Sequence, residues 1–110
     1  MTNKQRLQNI LKNPKGKVIC VDLDGTLALG TYWGKKHPKV NEAMAKFVRN
    51  LDDGGATIII YTARPVYQFS QTYKWLGQNN LLYPLAMRIK PPASLYLDDK
   101  ALNVDDLNLK

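Results

Sequence analysis

The 110-residue chain predicts one α/β domain, a parallel sheet flanked by helices in three layers. Three observations predict it. Short apolar, β-branched runs at 17–22 and 56–61 are bounded by turn residues, an amphipathic helical stretch lies between them, and the same alternation repeats downstream. Strands alternating with helices of this length join as right-handed βαβ crossovers, which place helices on both faces of the sheet.

The elements follow in order. Residues 3–12 form a short basic helix, with Leu7, Ile10 and Leu11 on one face, closed by Asn13-Pro14. Lys17 to Asp22 is a buried strand, and Asp24-Gly25-Thr26 a tight turn. Val40, Ala43, Met44, Phe47, Val48 and Leu51 fall at helical spacing, and Gly54-Gly55 stops that helix. Ala56 to Tyr61 is a continuous apolar run of the kind that fills a central parallel strand. Pro65 opens a second helix in which Val66, Phe69, Tyr73 and Leu76 line one side until Gly77. Leu85–Ile89 and Ser94–Leu97 are short strands separated by Pro91-Pro92, and the last eleven residues are a tail or half-helix. We divide the chain into a basic N-terminal extension, 1–16, and a core, 17–110.

Composition narrows the function classes. No apolar run approaches the roughly 20 residues of a membrane helix, so no membrane partner is expected. Cys20 is the one cysteine, which excludes an intrachain disulfide and suits a reducing, cytoplasmic setting. The net charge is +7. Lys4, Arg6, Lys12, Lys15 and Lys17 supply +5 of it within 1–17, where no acid occurs. That segment reads as a solvated tail or as a face for anionic partners. The oligomeric state is not encoded in any feature of the sequence.

Open parallel sheets bind ligands at the carboxyl ends of their strands. Asp22 and Asp24 leave the first strand, Thr62 and Arg64 the second, and Asp98 and Asp99 the last. Four carboxylates on one edge repel each other and are costly to bury unpaired. A hard cation resolves the conflict, and oxygen donors of this kind suit Mg2+.

These residues carry a resemblance. Asp22-Leu23-Asp24-Gly25-Thr26 after an apolar strand resembles the first motif of the haloacid dehalogenase (HAD) superfamily. Ile58-Ile59-Ile60-Tyr61-Thr62 resembles its second motif, Lys90 its lone lysine, and Leu95-Tyr96-Leu97-Asp98-Asp99 its acidic fourth motif. The match runs from residue 17 to about 102. It implies a Rossmann-like phosphatase fold in which Asp22 is the nucleophile, forming an aspartyl-phosphate, and Asp24 the general acid and base. Thr62 and Lys90 would hold the phosphoryl oxygens. Magnesium would be held by Asp22, the backbone of Asp24, and Asp98, with Asp99 either a ligand through water or a partner of Lys90. An Asp at position 24 points to a phosphatase or phosphomutase rather than an ion-pumping ATPase.

Plainer readings stand beside these roles. Asp24-Gly25 could be an ordinary β-turn, Thr62 a helix cap, and Lys90 a surface lysine with Lys74 as its rival. His37 reads as a capping residue, Asp105-Asp106 as solvent-exposed, and Cys20 as a small buried hydrophobe.

Only 35 residues separate Asp24 from Ile60 and 27 separate Thr62 from Lys90, too few for a cap domain, so the resemblance is to small capless members. An open site suits a phosphorylated substrate that is large or loosely selected. Tyr32-Trp33-Gly34-Lys35-Lys36-His37 lies where the superfamily carries a flap, and its aromatic and basic residues could stack on a base and hold phosphates, or simply pack. Thr62-Ala63-Arg64 resembles a stretch of polynucleotide 3′-phosphatases. Together these imply a nucleotide or nucleic-acid end as substrate, with Tyr32, Trp33, Thr62, Ala63, Arg64 and Lys90 binding it. Sugar phosphates or general phosphomonoesters are the alternative. Two other classes remain: a response-regulator receiver, whose acidic pair should follow the first strand rather than the last, and a binding protein that uses the fold without turnover.

Overall fold

The computed structural model describes residues 2–29 and 38–98. The elements are α1 (Asn3–Lys12), β1 (Val18–Asp22), β2 (Ala28–Leu29), β3 (Lys39–Val40), α2 (Glu42–Asp53), β4 (Thr57–Thr62), a 3₁₀ turn (Val66–Gln68), α3 (Phe69–Gln78), β5 (Leu85–Met87) and β6 (Leu95–Leu97). The main sheet has the order β5-β4-β1-β6, and all its neighbours are parallel. The two strands richest in Ile and Val, β1 and β4, therefore occupy its centre, as continuous apolar runs require. This is a Rossmann-like α/β fold with a parallel sheet and flanking helices, and among the described residues neither inter-motif connection holds a cap.

The pleat sorts the sheet's side chains. Ile19, Val21, Ile58, Ile60, Leu95 and Leu97 join one hydrophobic core with helix residues that include Leu7, Met44, Val48 and Leu76. The residues of the other pleat, Cys20, Asp22, Tyr61 and Tyr96, lie outside that core. Both the β1–α2–β4 and β4–α3–β5 connections step the same way along the sheet, so right-handed crossovers put both helices on one face. α1 joins them there through Leu7 and Ile10. The sequence predicted helices on both faces. Among the described residues the second face is instead crossed by the helix-free connection 88–94, which returns from β5 to β6.

Local chemistry explains the element ends. Thr2 and Gln5 form a reciprocal capping box at α1. The Asn41 side chain accepts from the Met44 N–H to start α2, and Gly54 closes that helix as expected. Leu11, expected to share the buried face of α1, is 44% exposed.

α3 departs furthest from the reading of its sequence. Thr72, Trp75 and Leu76 are buried, whereas Val66, Phe69 and Tyr73, placed on the inner stripe, are 67%, 45% and 41% exposed. Residues 66–68 wind as a tighter 3₁₀ turn, which breaks the assumed helical phase. Two polar anchors then set the rotation: the Trp75 indole N–H donates to the Pro38 carbonyl at 2.9 Å, and Thr72 meets Arg64. Gly77 lies within α3 rather than ending it, and Asn80 in the left-handed region (φ 56°) completes the turn beyond.

The β2–β3 pair, which the sequence did not announce, places Leu29 opposite Lys39. The Asn41 N–H donates to the Leu27 carbonyl at 2.7 Å just beneath it. Tyr32, Trp33 and His37 fall between these strands, outside the described residues, as do Asp99, Asp105 and Asp106 at the other end.

Candidate active site

Asp22 stands at the carboxyl end of β1, with a strand on either side. Its backbone is in register with Tyr61 of β4, and Val21 with Leu97 of β6, so Asp98 leaves β6 next to Asp22. The Leu23 N–H continues the ladder to the Tyr61 carbonyl at 2.9 Å. Gly25, at φ +87°, then turns the chain sharply, a conformation that side chains with a Cβ rarely adopt. Its N–H donates to the Ala28 carbonyl at 2.8 Å, closing the loop. Inside it the Thr26 hydroxyl is buried with no partner among the described residues.

The Asp22 carboxyl is pushed up from 3.8 to about 6. Burial at the strand end is the main cause, and the charges of Asp24 and Asp98 add to it. The Leu23 N–H and the Lys90 ammonium pull the other way. Near neutral pH the group is therefore mostly ionised, but its charge is held at a cost.

Asp24 is held by Arg64. The guanidinium approaches edge-on, Nε to Oδ2 at 3.0 Å and Nη2 to Oδ1 at 2.5 Å, a bidentate pair. The Thr62 hydroxyl donates to the same Oδ2 at 3.2 Å and accepts from the Arg64 N–H at 3.1 Å. Arg64 in turn donates from Nη1 to the Thr72 hydroxyl at 3.1 Å. The pair is largely dry: the Arg64 side chain is 7% exposed and that of Asp24 22%. Arg64, expected to bind substrate, is thus engaged inside the protein, and Thr62 is fully buried against Asp24. Ala63 lies exposed at the tip of β4.

Lys90 reaches this edge from the other face. Arg88 adopts φ 72° and donates its N–H to the Thr62 carbonyl at 2.8 Å, turning the chain out of β5. Lys90 then lies with its ammonium 5.4 Å from the Tyr61 ring centre and 5.5 Å from that of Tyr96. Its charge is felt at Asp22 and at Cys20, which is buried, with burial as the leading cause that pushes the thiol up. Lys74, the rival lysine, is exposed on α3 and is not among the charges that shift Asp22.

The donor set suits a hard divalent cation. Asp22 and Asp98 are carboxylates on adjacent strand ends, and the Asp98 charge adds to the rise at Asp22, which a cation there would relieve. No group of three metal-binding side chains occurs among the described residues. The Asp24 carboxylate is turned to Arg64, so its backbone carbonyl is the donor it could offer a cation. No described helix is long and apolar enough to cross a membrane.

Sequence reasoning missed three members of the site: Thr72 behind Arg64, and Tyr61 and Tyr96 beside Lys90. Thr72 carries no motif signal. The tyrosines alternate with apolar residues in their strands, which places them on the face opposite the core, and that alternation was the available clue.

The family model for the LNS2 domain of PITM 1-3 matches residues 19–106. Neither a curated protein nor a solved structure matches the chain. The expected lineage is thereby corrected. The profile that fits is that of LNS2 domains, not of small capless HAD phosphatases or of polynucleotide 3′-phosphatases. LNS2 domains belong to the HAD-like phosphatase superfamily, so the relationship holds at that coarser level. The Thr62-Ala63-Arg64 stretch that suggested a 3′-phosphatase has a local use instead, since Arg64 pairs with Asp24.

Proposed function

The chain belongs to the LNS2 domain family, and from that premise we propose that it is a magnesium-dependent phosphomonoester hydrolase working through an aspartyl-phosphate on Asp22. The observation that supports this best is the setting of Asp22: end of the central strand, half-buried, raised to about 6, with Lys90 and Asp98 beside it.

An ionised Asp22 oxygen attacks phosphorus, the Asp22 O–P bond forms, and the bond from phosphorus to the leaving oxygen breaks. Asp24 donates the proton that the leaving oxygen needs. To do so it exchanges Arg64 for the substrate and takes up a proton from water, which it releases again when the pair re-forms after the second step, so the bidentate pair describes a resting state. In the second step a water oxygen attacks phosphorus, Asp24 takes its proton, and the phosphorus–Asp22 bond breaks. Lys90 binds phosphoryl oxygens, joined by Thr62 once Asp24 has moved. Magnesium, held by Asp22, Asp98 and the Asp24 carbonyl, with Asp99 following in sequence, would neutralise charge on the transferring group.

A second reading has one observation in its favour. The Asp24–Arg64 pair and the engaged Thr62 hydroxyl suit a protein that binds a phosphorylated molecule without turning it over. Phosphate release from nucleotides, phosphorylated oligonucleotides and sugar phosphates, with magnesium or EDTA, separates the two. Metal-dependent turnover that disappears in Asp22→Asn supports the hydrolase. Phosphate binding with no turnover on any member supports the second reading, and turnover that survives Asp22→Asn sinks the aspartyl-phosphate mechanism.

A further inference from the structure

The second face of the sheet carries no helix among the described residues, yet it holds an ordered arrangement of side chains around Lys90. Tyr61, on β4, is in register with Asp22, and Tyr96, on β6, is in register with Cys20. The two rings thus flank the last three residues of β1 from either side. Lys90 lies between them, 5.4 Å from one ring centre and 5.5 Å from the other, within the range of cation–π attraction. The Tyr96 hydroxyl also fixes the backbone that follows Lys90: it donates to the Pro91 carbonyl at 2.8 Å and accepts from the Ala93 N–H at 3.0 Å. Lysine is otherwise a poor choice for a precise contact, because its four-carbon stem is flexible and its head strongly hydrated.

We infer that Tyr61 and Tyr96 are positioning residues that bracket the Lys90 ammonium beside Asp22, so that a phosphoryl group meets a pre-placed cation rather than a mobile one. The inference rests on the phosphoryl site proposed above and deepens it. It assigns neither tyrosine a contact with substrate. Pre-placement lowers the ordering cost that each binding event would otherwise carry.

The test is a double-mutant cycle on inorganic phosphate binding, measured by calorimetry with magnesium present. The variants are Lys90→Ala, Tyr61→Leu, Tyr96→Leu and the two Tyr→Leu changes made in the Lys90→Ala background. Each ring removal is expected to weaken phosphate binding by roughly two- to fivefold, the range of a partly exposed cation–π contact. In the Lys90→Ala background the same change is expected to have no further effect, because its route to phosphate is gone. Tyr61→Phe keeps the ring and should bind phosphate within about twofold of wild type, which also checks that the fold tolerates change there.

A second readout does not involve phosphate at all. Acylation of Lys90 by an amine-reactive reagent, followed by mass spectrometry, should quicken about two- to fivefold when either ring is removed. Additive losses in the cycle, or unchanged labelling of Lys90, overturn the inference, as does Lys90→Ala with wild-type phosphate affinity. Of these results only wild-type affinity in Lys90→Ala bears on the hydrolase proposal, by removing Lys90 from its phosphoryl site; turnover through Asp22 is tested separately by the substrate panel.

Discussion

Replacing Asp22 by Asn should make the metal-free protein more stable while removing its proposed nucleophile. The carboxyl is raised from 3.8 to about 6, chiefly because the strand end takes it out of water. Keeping such a group ionised at neutral pH costs the folded state roughly 3 kcal/mol before screening, and partial solvent access reduces this to about 1–2 kcal/mol. Asn keeps the shape without the charge. Between pH 3.8 and about 6 the folded wild type binds more protons at Asp22 than the unfolded chain does. Its contribution to stability is therefore complete below 3.8 and is lost as pH rises through about 6. Urea unfolding in EDTA at pH 7.5 and 4.5 measures the effect. The variant should be about 1–2 kcal/mol more stable at pH 7.5, with the gap falling by more than half at pH 4.5. An equal gap at both pH values, or a variant less stable at pH 7.5, would refute the account of Asp22.

The same raised carboxyl should show directly in the metal-free protein: an NMR titration of Asp22 in EDTA should have its midpoint at about 6 and move down when magnesium is added, and a metal-free midpoint near 3.8 would contradict the burial argument. Leu76→Ala should cost about 2–5 kcal/mol in chemical denaturation, while Tyr73→Ala, despite its place on the apparent apolar stripe, should stay within about 0.5 kcal/mol. Arg64→Ala should destabilise by roughly 3 kcal/mol by leaving Asp24 without its bidentate partner; a neutral result in thermal or urea unfolding would show that the pair contributes nothing to the resting fold.

The sheet and its active edge were legible because their signals are short-range and redundant. A β-branched run, an Asp at its end and a glycine that turns the chain lie within a few residues at 18–25. The helix over 42–53 was equally plain, since its buried Met44, Phe47, Val48 and Leu51 sit at helical spacing. α3 was misread because its rotation is decided by partners distant in sequence: Trp75 bonds Pro38, 37 positions away, and Thr72 bonds Arg64. An apolar stripe records composition, and it records burial only where no polar anchor competes. The pairing of Asp24 with Arg64, 40 positions apart, was hidden for the same reason. Arg64 in a motif-like stretch looked ready for a substrate, and its internal partner emerges only once β1 and β4 lie side by side. The unequal covering of the two faces could have been derived, since three successive strands that step one way commit their crossovers to one side.

The feet of the β2–β3 pair have a use in protein engineering. Leu29 opposes Lys39, and the scaffold below is tied independently by Asn41 to Leu27 and by Trp75 to Pro38. Whatever chain joins the two feet, its ends are held at a fixed separation by bonds it does not itself supply. Doubling the length of a flexible connection there costs only about 0.6 kcal/mol. Chains of varied length and composition could thus be grafted between Leu29 and Pro38 onto feet that are already anchored, with the main sheet below them left as it is.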